Sequence, residues 1–117
     1  MEQGTLLYSL DKLKEIDDTE EFILQVINIF LETVPQNTSA LRKACAEKNW
    51  DQVYFFAHKI KANVALLGID SIVEEVRIVE RCAKDNHDLD IIPAKVCFID
   101  ETVQKAAEQM SSFIATL

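Results

Sequence analysis

The sequence predicts an all-α fold: an antiparallel up-down-up-down four-helix bundle with a short additional N-terminal helix. Only four of the 117 residues are Gly or Pro, whereas an all-β domain needs a turn about every 8–12 residues. Apolar residues make up 49% of the chain, and they recur at alternating spacings of three and four residues, which places them on one face of a helix. A chain of this length holds one core, so we assign residues 1–117 to a single domain.

The first two helices are predicted over residues 7–16 and 19–47. The first is short and amphipathic, and we expect it to cap one end of the bundle. The second is the longest helical stretch, and Pro35 lies within it. Because proline removes a backbone donor and crowds the preceding turn, we expect a kink or a short break there. The apolar positions are Leu7, Leu10, Leu13 and Ile16 in the first helix, and Ile23, Ile27, Phe30, Val34, Leu41 and Cys45 in the second.

The third helix is predicted over residues 50–67. Asn49 is a favourable N-cap residue, and Gln52 three residues later could return the hydrogen bond. Gly68 stands just beyond the last apolar position, where a left-handed C-terminal cap favours a residue without Cβ. The predicted core stripe consists of Val53, Phe56, Ala57, Ile60, Val64 and Leu67.

Two more helices complete the predicted bundle. Residues 70–86 form one, with Ser71 and Glu74 in the spacing of a capping box, and residues 85–88 form the turn that follows it. In the C-terminal helix Pro93 lies in the first turn, where its missing N–H costs nothing. The core positions are Ile72, Val76, Val79 and Ala83, followed by Val96, Ile99, Val103, Ala106, Met110, Phe113 and Leu117.

The charge and cysteine content restrict the function. Acidic residues outnumber basic ones by 20 to 12, for a net charge of −8, which argues against binding to nucleic acid or to anionic membranes. No apolar run approaches the roughly 20 residues of a membrane span, and the acidic N-terminus does not resemble a secretory signal. Three cysteines at wide spacings predict reduced thiols rather than a disulfide scaffold. We therefore expect a cytoplasmic protein.

One histidine occupies an unusual position on the third helix. With Ile60 at the centre of the core face, His58 lies about 160° away, on the outer face. This outer face should be polar, yet His58 is surrounded there by aromatic, aliphatic and small residues: Tyr54, Phe55, Ala62, Ala65 and Leu66. Such a face suits a functional histidine. Two other interpretations remain: a solvated surface histidine without a function, or a face on which the short N-terminal helix docks. We interpret His87 as a solvated surface histidine of this kind.

Basic residues accompany this face. Lys61 follows His58 by three residues and shares its surface region, while Lys59 lies further round the helix. Residues 41–61 carry a net charge of +3, whereas residues 1–20 and 69–90 each carry −4. A basic, partly apolar surface on an acidic protein suits a partner whose docking surface combines an acidic pocket with a hydrophobic rim.

Residues 57–68, with the sequence AHKIKANVALLG, resemble the signature of histidine-containing phosphotransfer (HPt) domains. That signature has a phosphorylated histidine, a lysine three residues later and a glycine ten residues later, which His58, Lys61 and Gly68 match. The resemblance covers nearly the whole chain in the order and length of the helices. Asn49-Trp50-Asp51 also resembles the acidic residue and tryptophan with which this helix opens in the family. On the next helix, Val79-Glu80 resembles the Leu-Glu pair of the family.

The resemblance implies a phosphorelay carrier with His58 as the phosphoacceptor and Lys61 as the cation that stabilises the phosphoryl charge. Ala62 departs from the pattern, because the family usually has glycine there to leave room beside the imidazole. We expect the extra methyl group to be tolerated, although it could slow transfer or narrow the choice of partners. The residues that we predict to support the site or dock the partner are Phe55, Lys59, Ala62, Ala65, Leu66 and Gly68.

The same resemblance implies the partners, a response-regulator receiver domain and/or a hybrid histidine kinase. The acceptor aspartate and its Mg²⁺ would belong to the receiver domain, and we expect this chain to bind no cofactor. It has no Gly-rich phosphate loop, so we predict a carrier rather than an enzyme with an ATP site. The chain begins at Met1 without a linker, which suits a stand-alone module, although a segment of a larger kinase remains an alternative.

Two other functional classes are alternatives to a phosphorelay carrier. A di-iron carboxylate bundle needs Glu three residues before a ligating histidine, but Phe55 precedes His58 at that spacing and Lys84 precedes His87. A helical adaptor, including a degenerate HPt domain that binds a signalling partner without phosphorylation, fits the apolar outer face equally well. The adaptor differs in one respect: it has no need for an imidazole at position 58.

Overall fold

A computed structural model describes residues 5–117 and contains five α-helices. The predicted domain starts at residue 1, and residues 1–4 lie outside the described part of the chain. Among the described residues no helix is long and apolar enough to cross a bilayer. The helices are α1 (Asp11–Ile16), α2 (Glu20–Ala46), α3 (Trp50–Leu66), α4 (Asp70–Asp85) and α5 (Ile92–Ala115), and the 3₁₀ turn Leu89–Ile91 precedes α5.

The four long helices form a bundle in which each packs against two neighbours. Helix α2 contacts α3 and α5, and α4 contacts the same two helices from the other side. Short connections make successive helices antiparallel, so the predicted fold class is confirmed. Most predicted core positions are buried, including Phe30, Ile60, Val76 and Met110. The three cysteines are free thiols, as predicted, and Cys45 and Cys82 are buried.

Helix α2 runs without interruption through Pro35, so the predicted break does not occur. The half-buried proline stays helical because Val34 and Thr38, on the same turn, are completely buried and hold this part of α2 in the core. The Pro35 carbonyl accepts hydrogen bonds from Thr38 Oγ1 at 3.0 Å and from Gln104 Nε2 of α5 at 3.2 Å. These contacts tie the proline turn to α5.

The N-terminal caps of two helices were predicted from the sequence, one correctly and one not. Asn49 Oδ1 accepts a hydrogen bond from the Gln52 amide at 3.3 Å, which confirms the N-cap of α3. The amide of Asn49 donates to the Ala44 carbonyl rather than to the Gln52 side chain. The capping box predicted at Ser71 is wrong, because α4 begins at Asp70 and its N-cap position has no side-chain hydrogen bond.

The physical reason why α4 begins without a side-chain cap lies in the residue before it. Ile69 is completely buried, and its amide donates to the Val64 carbonyl at 3.0 Å. Burial of this side chain and the short connection from α3 therefore set the start of the helix, in place of a polar cap.

The N-terminal segment covers the end of the bundle where α3 stops. Helices α2 and α5 have 27 and 24 residues, whereas α3 and α4 have 17 and 16. Residues 5–16 lie at the end of the shorter pair, next to the end of α3 and the C-terminal part of α5. The Ser9 amide donates to the Leu67 carbonyl at 2.9 Å, and the Leu7 amide donates to Gln109 Oε1 at 2.8 Å. Tyr8 and Leu13 are buried there, which confirms that this segment caps one end.

Some predicted apolar positions lie outside the core. The first helix is shorter than predicted, because α1 begins at Asp11 and leaves Leu7 and Leu10 in the preceding segment, where they are half-buried. Ile16 is exposed because α1 ends there, and Leu117 is exposed beyond the end of α5. Phe56 and Phe113 pack only partly against the core.

Gly68 is required by the way in which the N-terminal segment approaches the end of α3. It adopts φ +62°, as predicted for a C-terminal cap, and a Cβ built on it would lie 2.8 Å from Ser9 Cβ. We expect Gly68→Ala to lower the free energy of unfolding by at least about 1–2 kcal/mol from the backbone conformation alone, with the contact to Ser9 adding to the loss. Urea denaturation followed by circular dichroism measures the change.

Lys48→Gly is a matched control for this substitution. Lys48 is exposed and also has a positive φ, 57°, but it is not a glycine. We expect Lys48→Gly to leave stability unchanged or raise it, because glycine adopts this conformation without steric cost. A Gly68→Ala variant as stable as the wild type would contradict the close packing against Ser9.

Candidate functional site

His58 lies near the middle of α3, on the face opposite its buried residues. The core side of α3 is fully buried at Val53, Ala57, Ile60 and Val64, and this burial fixes the rotation of the helix about its axis. The His58 side chain is consequently 61% exposed. This position agrees with the one predicted from the helical wheel.

Glu80 of the neighbouring helix α4 joins two of the sequence-predicted residues. His58 Nδ1 lies 2.5 Å from Glu80 Oε2, and Lys61 Nζ donates to Glu80 Oε1 at 2.8 Å. The Glu80 side chain is only 13% exposed, whereas that of Lys61 is 40% exposed. The carboxylate thus lies in the groove between α3 and α4 and uses one oxygen for each partner.

The electrostatic environment keeps Glu80 ionised. Burial by itself raises the pKa of Glu80, but the hydrogen bonds from Lys61 and His58, together with the charges of those residues, outweigh burial and lower the pKa below its ordinary value. An ionised carboxylate only accepts hydrogen bonds, so His58 Nδ1 must carry a proton. In the neutral imidazole the lone pair is then on Nε2, on the opposite side of the ring from Glu80.

One aromatic residue of α3 stacks on the imidazole, and a second is exposed about one helical turn away. The Tyr54 ring stacks on His58 with the ring centroids 5.8 Å apart and the planes at 26°. Phe55 is 49% exposed, and the Lys59 ammonium lies 5.5 Å from the centroid of its ring. The imidazole is therefore held by a hydrogen bond at Nδ1 and by a stacked ring on one face.

The predicted docking residues differ in how accessible they are. Ala62 is exposed one turn from His58, whereas Ala65 and Leu66 are half-buried. Lys12 Nζ of α1 donates to the Ala65 carbonyl at 3.2 Å, so the N-terminal segment covers this edge. Gly68 lies against Ser9 and supports the fold there. The open surface beside His58 is therefore centred on Ala62, and Ala65 lies at its covered border.

The sequence reasoning missed two features of the site. Glu80 was noted only as part of the family resemblance, and its contact with His58 joins residues 22 positions apart, which no spacing rule within one helix predicts. The basic surface is also not the continuous segment 41–61, because Arg42 pairs with Asp100 of α5 at 3.1 Å. His87 is exposed in the turn after α4, where Nδ1 lies 3.1 Å from Asp88 Oδ2.

Comparison with known families agrees with this arrangement. A family model of the Hpt domain matches residues 25–112, which is 88 of the 117 residues. Searches of curated proteins and of solved structures give no significant match. Hpt domains are phosphotransfer carriers rather than catalytic enzymes, and they interact with receiver domains and histidine kinases in phosphorelays. With a four-helix bundle, an exposed histidine on its third helix and a family match over three quarters of its length, this chain belongs to the Hpt domain family.

Proposed function

We propose that this protein carries a phosphoryl group on His58 Nε2 and exchanges it with the phosphoacceptor aspartate of a response-regulator receiver domain. The observation that supports this most directly is the hydrogen bond between His58 Nδ1 and Glu80. It fixes the proton on the inner nitrogen and leaves the lone pair on the outer one, on a largely exposed ring. Incubation with a phosphorylated receiver domain, followed by mass spectrometry of an acid-labile adduct, tests the proposal.

In the uptake step one bond forms at phosphorus and one bond breaks. The Nε2 lone pair attacks the phosphorus of the aspartyl phosphate, and the P–O bond to the aspartate breaks with its electrons passing to the departing carboxylate. The proton on Nδ1 stays in place, and the positive charge that develops on the ring is offset by Glu80. Phosphoryl transfer depends mainly on in-line positioning and charge neutralisation, and the fixed orientation of the imidazole supplies the first of these.

The remaining components belong to the partner in this proposal. The receiver domain supplies the aspartate and the Mg²⁺ that neutralises the phosphoryl oxygens, and this chain supplies the imidazole and nearby cations. The protein acts as a relay carrier without an ATP site, and we place it in the cytoplasm, where receiver domains and the catalytic portions of histidine kinases operate. Transfer in either direction uses the same geometry.

Lys61 is expected to stabilise the phosphoryl group in addition to pairing with Glu80. Lys61 and His58 bind the two oxygens of the same Glu80 carboxylate, so the Lys61 ammonium lies close to the imidazole. The Lys61 side chain is 40% exposed and can turn towards a phosphoryl oxygen. Lys61→Ala should shorten the lifetime of phospho-His58 and lower the transfer rate, and it should also remove the share of stability that comes from the ion pair with Glu80. Lys59→Ala is the control, because Lys59 contacts Phe55 and not Glu80. Equal lifetimes for wild type and Lys61→Ala at low salt would exclude this role.

Glu80 is expected to make stability depend on pH. Because its pKa is lowered in the folded protein, the ionised carboxylate stabilises the fold above the ordinary glutamate pKa of 4.5. This stabilisation is lost as the pH falls through the lower, folded-state pKa. Glu80→Gln, which keeps the shape but not the charge, should therefore be less stable than the wild type at pH 7 and should approach it in acid.

Urea denaturation of both proteins at pH 7 and at about pH 3 measures this difference. The same variant should transfer phosphate more slowly at pH 7, since a neutral amide neither offsets the charge on the imidazole nor fixes its tautomer. A stability difference that is the same at both pH values would show that the carboxylate charge does not contribute.

A further inference from the structure

Two basic residues of α4 lie in the groove beside the contacts of His58. Lys61, Arg81 and Lys84 line a hollow of about 310 Å³ next to the imidazole, together with Tyr54, Glu80 and Asp85. The three cations of this hollow outnumber its two carboxylates. Tyr54 connects the hollow to the site, because its ring also stacks on His58. The site therefore continues along the groove between α3 and α4.

The basic residues differ in whether they are already engaged. Lys61 is bound to Glu80, and the Lys59 ammonium lies against the Phe55 ring. Arg81 and Lys84 are exposed, and within residues 5–117 neither makes an ion pair or a side-chain hydrogen bond. Both oxygens of Glu80 are occupied by His58 and Lys61. Arg81 and Lys84 are therefore the two cations near His58 that can bind an incoming anionic group without breaking an existing contact.

The net charge of the segment that contains Arg81 and Lys84 does not indicate a basic surface. Residues 69–90 have a net charge of −4, but the glutamates of α4 are paired with other cations. Glu75 binds Lys95 of α5 at 2.7 Å, and Glu74 lies 3.9 Å from Arg77 on its own helix. In the hollow itself Glu80 is already paired, so the unpaired cations Arg81 and Lys84 outnumber the one remaining carboxylate, Asp85.

We propose that Arg81 and Lys84 form an electrostatic docking site for the acidic surface that surrounds the phosphoacceptor aspartate of the receiver domain. This inference rests on the proposed function and names the residues that select its partner. Exposed charges at the rim of an interface act mainly on the rate of association and on its dependence on salt. On a protein with a net charge of −8, two available cations orient an acidic partner towards His58 and away from the remaining surface.

The double variant Arg81→Gln/Lys84→Gln tests the docking site. Its control is Lys14→Gln/Lys105→Gln, which removes the same charge from exposed residues on α1 and α5. The probe is the purified receiver domain that exchanges phosphate fastest with the wild-type protein. The measurement is the second-order rate constant of transfer at NaCl concentrations from about 20 to 500 mM, a range over which the Debye length falls from roughly 20 Å to 4 Å.

At low salt we expect the α4 double variant to transfer about tenfold more slowly than the wild type, which is within the range of electrostatic steering. The two should converge at high salt, and the control variant should remain within about twofold of the wild type throughout. Equal rates for the two double variants at low salt would overturn the proposal.

Chemical phosphorylation distinguishes a failure of the docking proposal from a failure of the proposed carrier function. Phosphoramidate transfers its phosphoryl group to imidazole without a receiver domain. In a His87→Gln background, where His58 is the only histidine of the sequence, it reports on His58 alone. We expect the α4 double variant to be phosphorylated at the wild-type rate and to keep the wild-type lifetime of phosphohistidine. A shortened lifetime with an unchanged salt dependence would overturn the docking role and assign both cations to the phosphoryl group. Failure of the wild type itself to accept phosphate by either route would contradict the proposed function.

Discussion

His58→Gln is expected to abolish phosphoryl acceptance completely. Glutamine can occupy the space of the imidazole and hydrogen-bond to Glu80, but its amide nitrogen has no available lone pair with which to attack phosphorus. Neither neighbour is expected to replace it, because Lys61 is bound to Glu80 and a phosphate on Tyr54 would be stable to acid. Incubation with a phosphorylated receiver domain and detection of the acid-labile adduct by mass spectrometry measures the loss.

The fold should survive this substitution. His58 is 61% exposed, and changes at exposed positions usually alter stability by no more than about 0.5 kcal/mol. His87→Gln is the matched control, since His87 is also exposed but lies in the turn after α4; it should accept phosphate like the wild type. Phosphate uptake by His58→Gln would contradict the assignment.

The same experiment separates the carrier from the adaptor interpretation. If the protein only binds its partner, the wild type and the His58→Gln variant should bind the receiver domain equally well, and the wild type should never become phosphorylated. Binding of the unphosphorylated receiver domain by both proteins, with no adduct on either, would favour the adaptor. An adduct on the wild type alone would support the carrier.

Local sequence pattern was sufficient to predict the helices and the position of His58. Both depend on the spacing of apolar residues along one helix, and burial of a repeated face dominates the energetics of a bundle. For this reason Ile60 and Val64 are buried while His58 is exposed. Gly68 was predicted for a similarly local reason, the backbone conformation at the end of a helix.

Contacts between helices could not be predicted in the same way. The pairing of Glu80 with His58 and the pairing of Arg42 with Asp100 each depend on how two helices are rotated about their axes. That rotation is set by packing of the whole core, which no single segment encodes. The cap of α4 was mispredicted for the same reason, because burial of Ile69 outweighed the local capping preference of Ser71.

Ala62→Glu is expected to block phosphoryl transfer while leaving the bundle folded. Ala62 is exposed one helical turn from His58, at the centre of the open surface. The attacking nitrogen and the phosphorus must come within roughly 3–3.5 Å of each other, so a longer side chain at this position holds the partner away. The added carboxylate also repels the acidic surface of a receiver domain, and both effects act on transfer rather than on folding.

Two further variants determine whether size and charge at position 62 are responsible. Ala94→Glu places the same side chain on an exposed position of α5 and should transfer at the wild-type rate. Ala62→Gly removes the methyl group beside the imidazole, so transfer should stay the same or increase, while the free energy of unfolding falls by up to about 1 kcal/mol. Receiver titrations followed by NMR shifts and rapid-quench transfer assays measure the two properties separately. If Ala62→Glu binds and transfers like Ala94→Glu, the receiver domain must approach His58 from a direction that does not cross Ala62, which leaves the groove lined by Arg81 and Lys84 as its route.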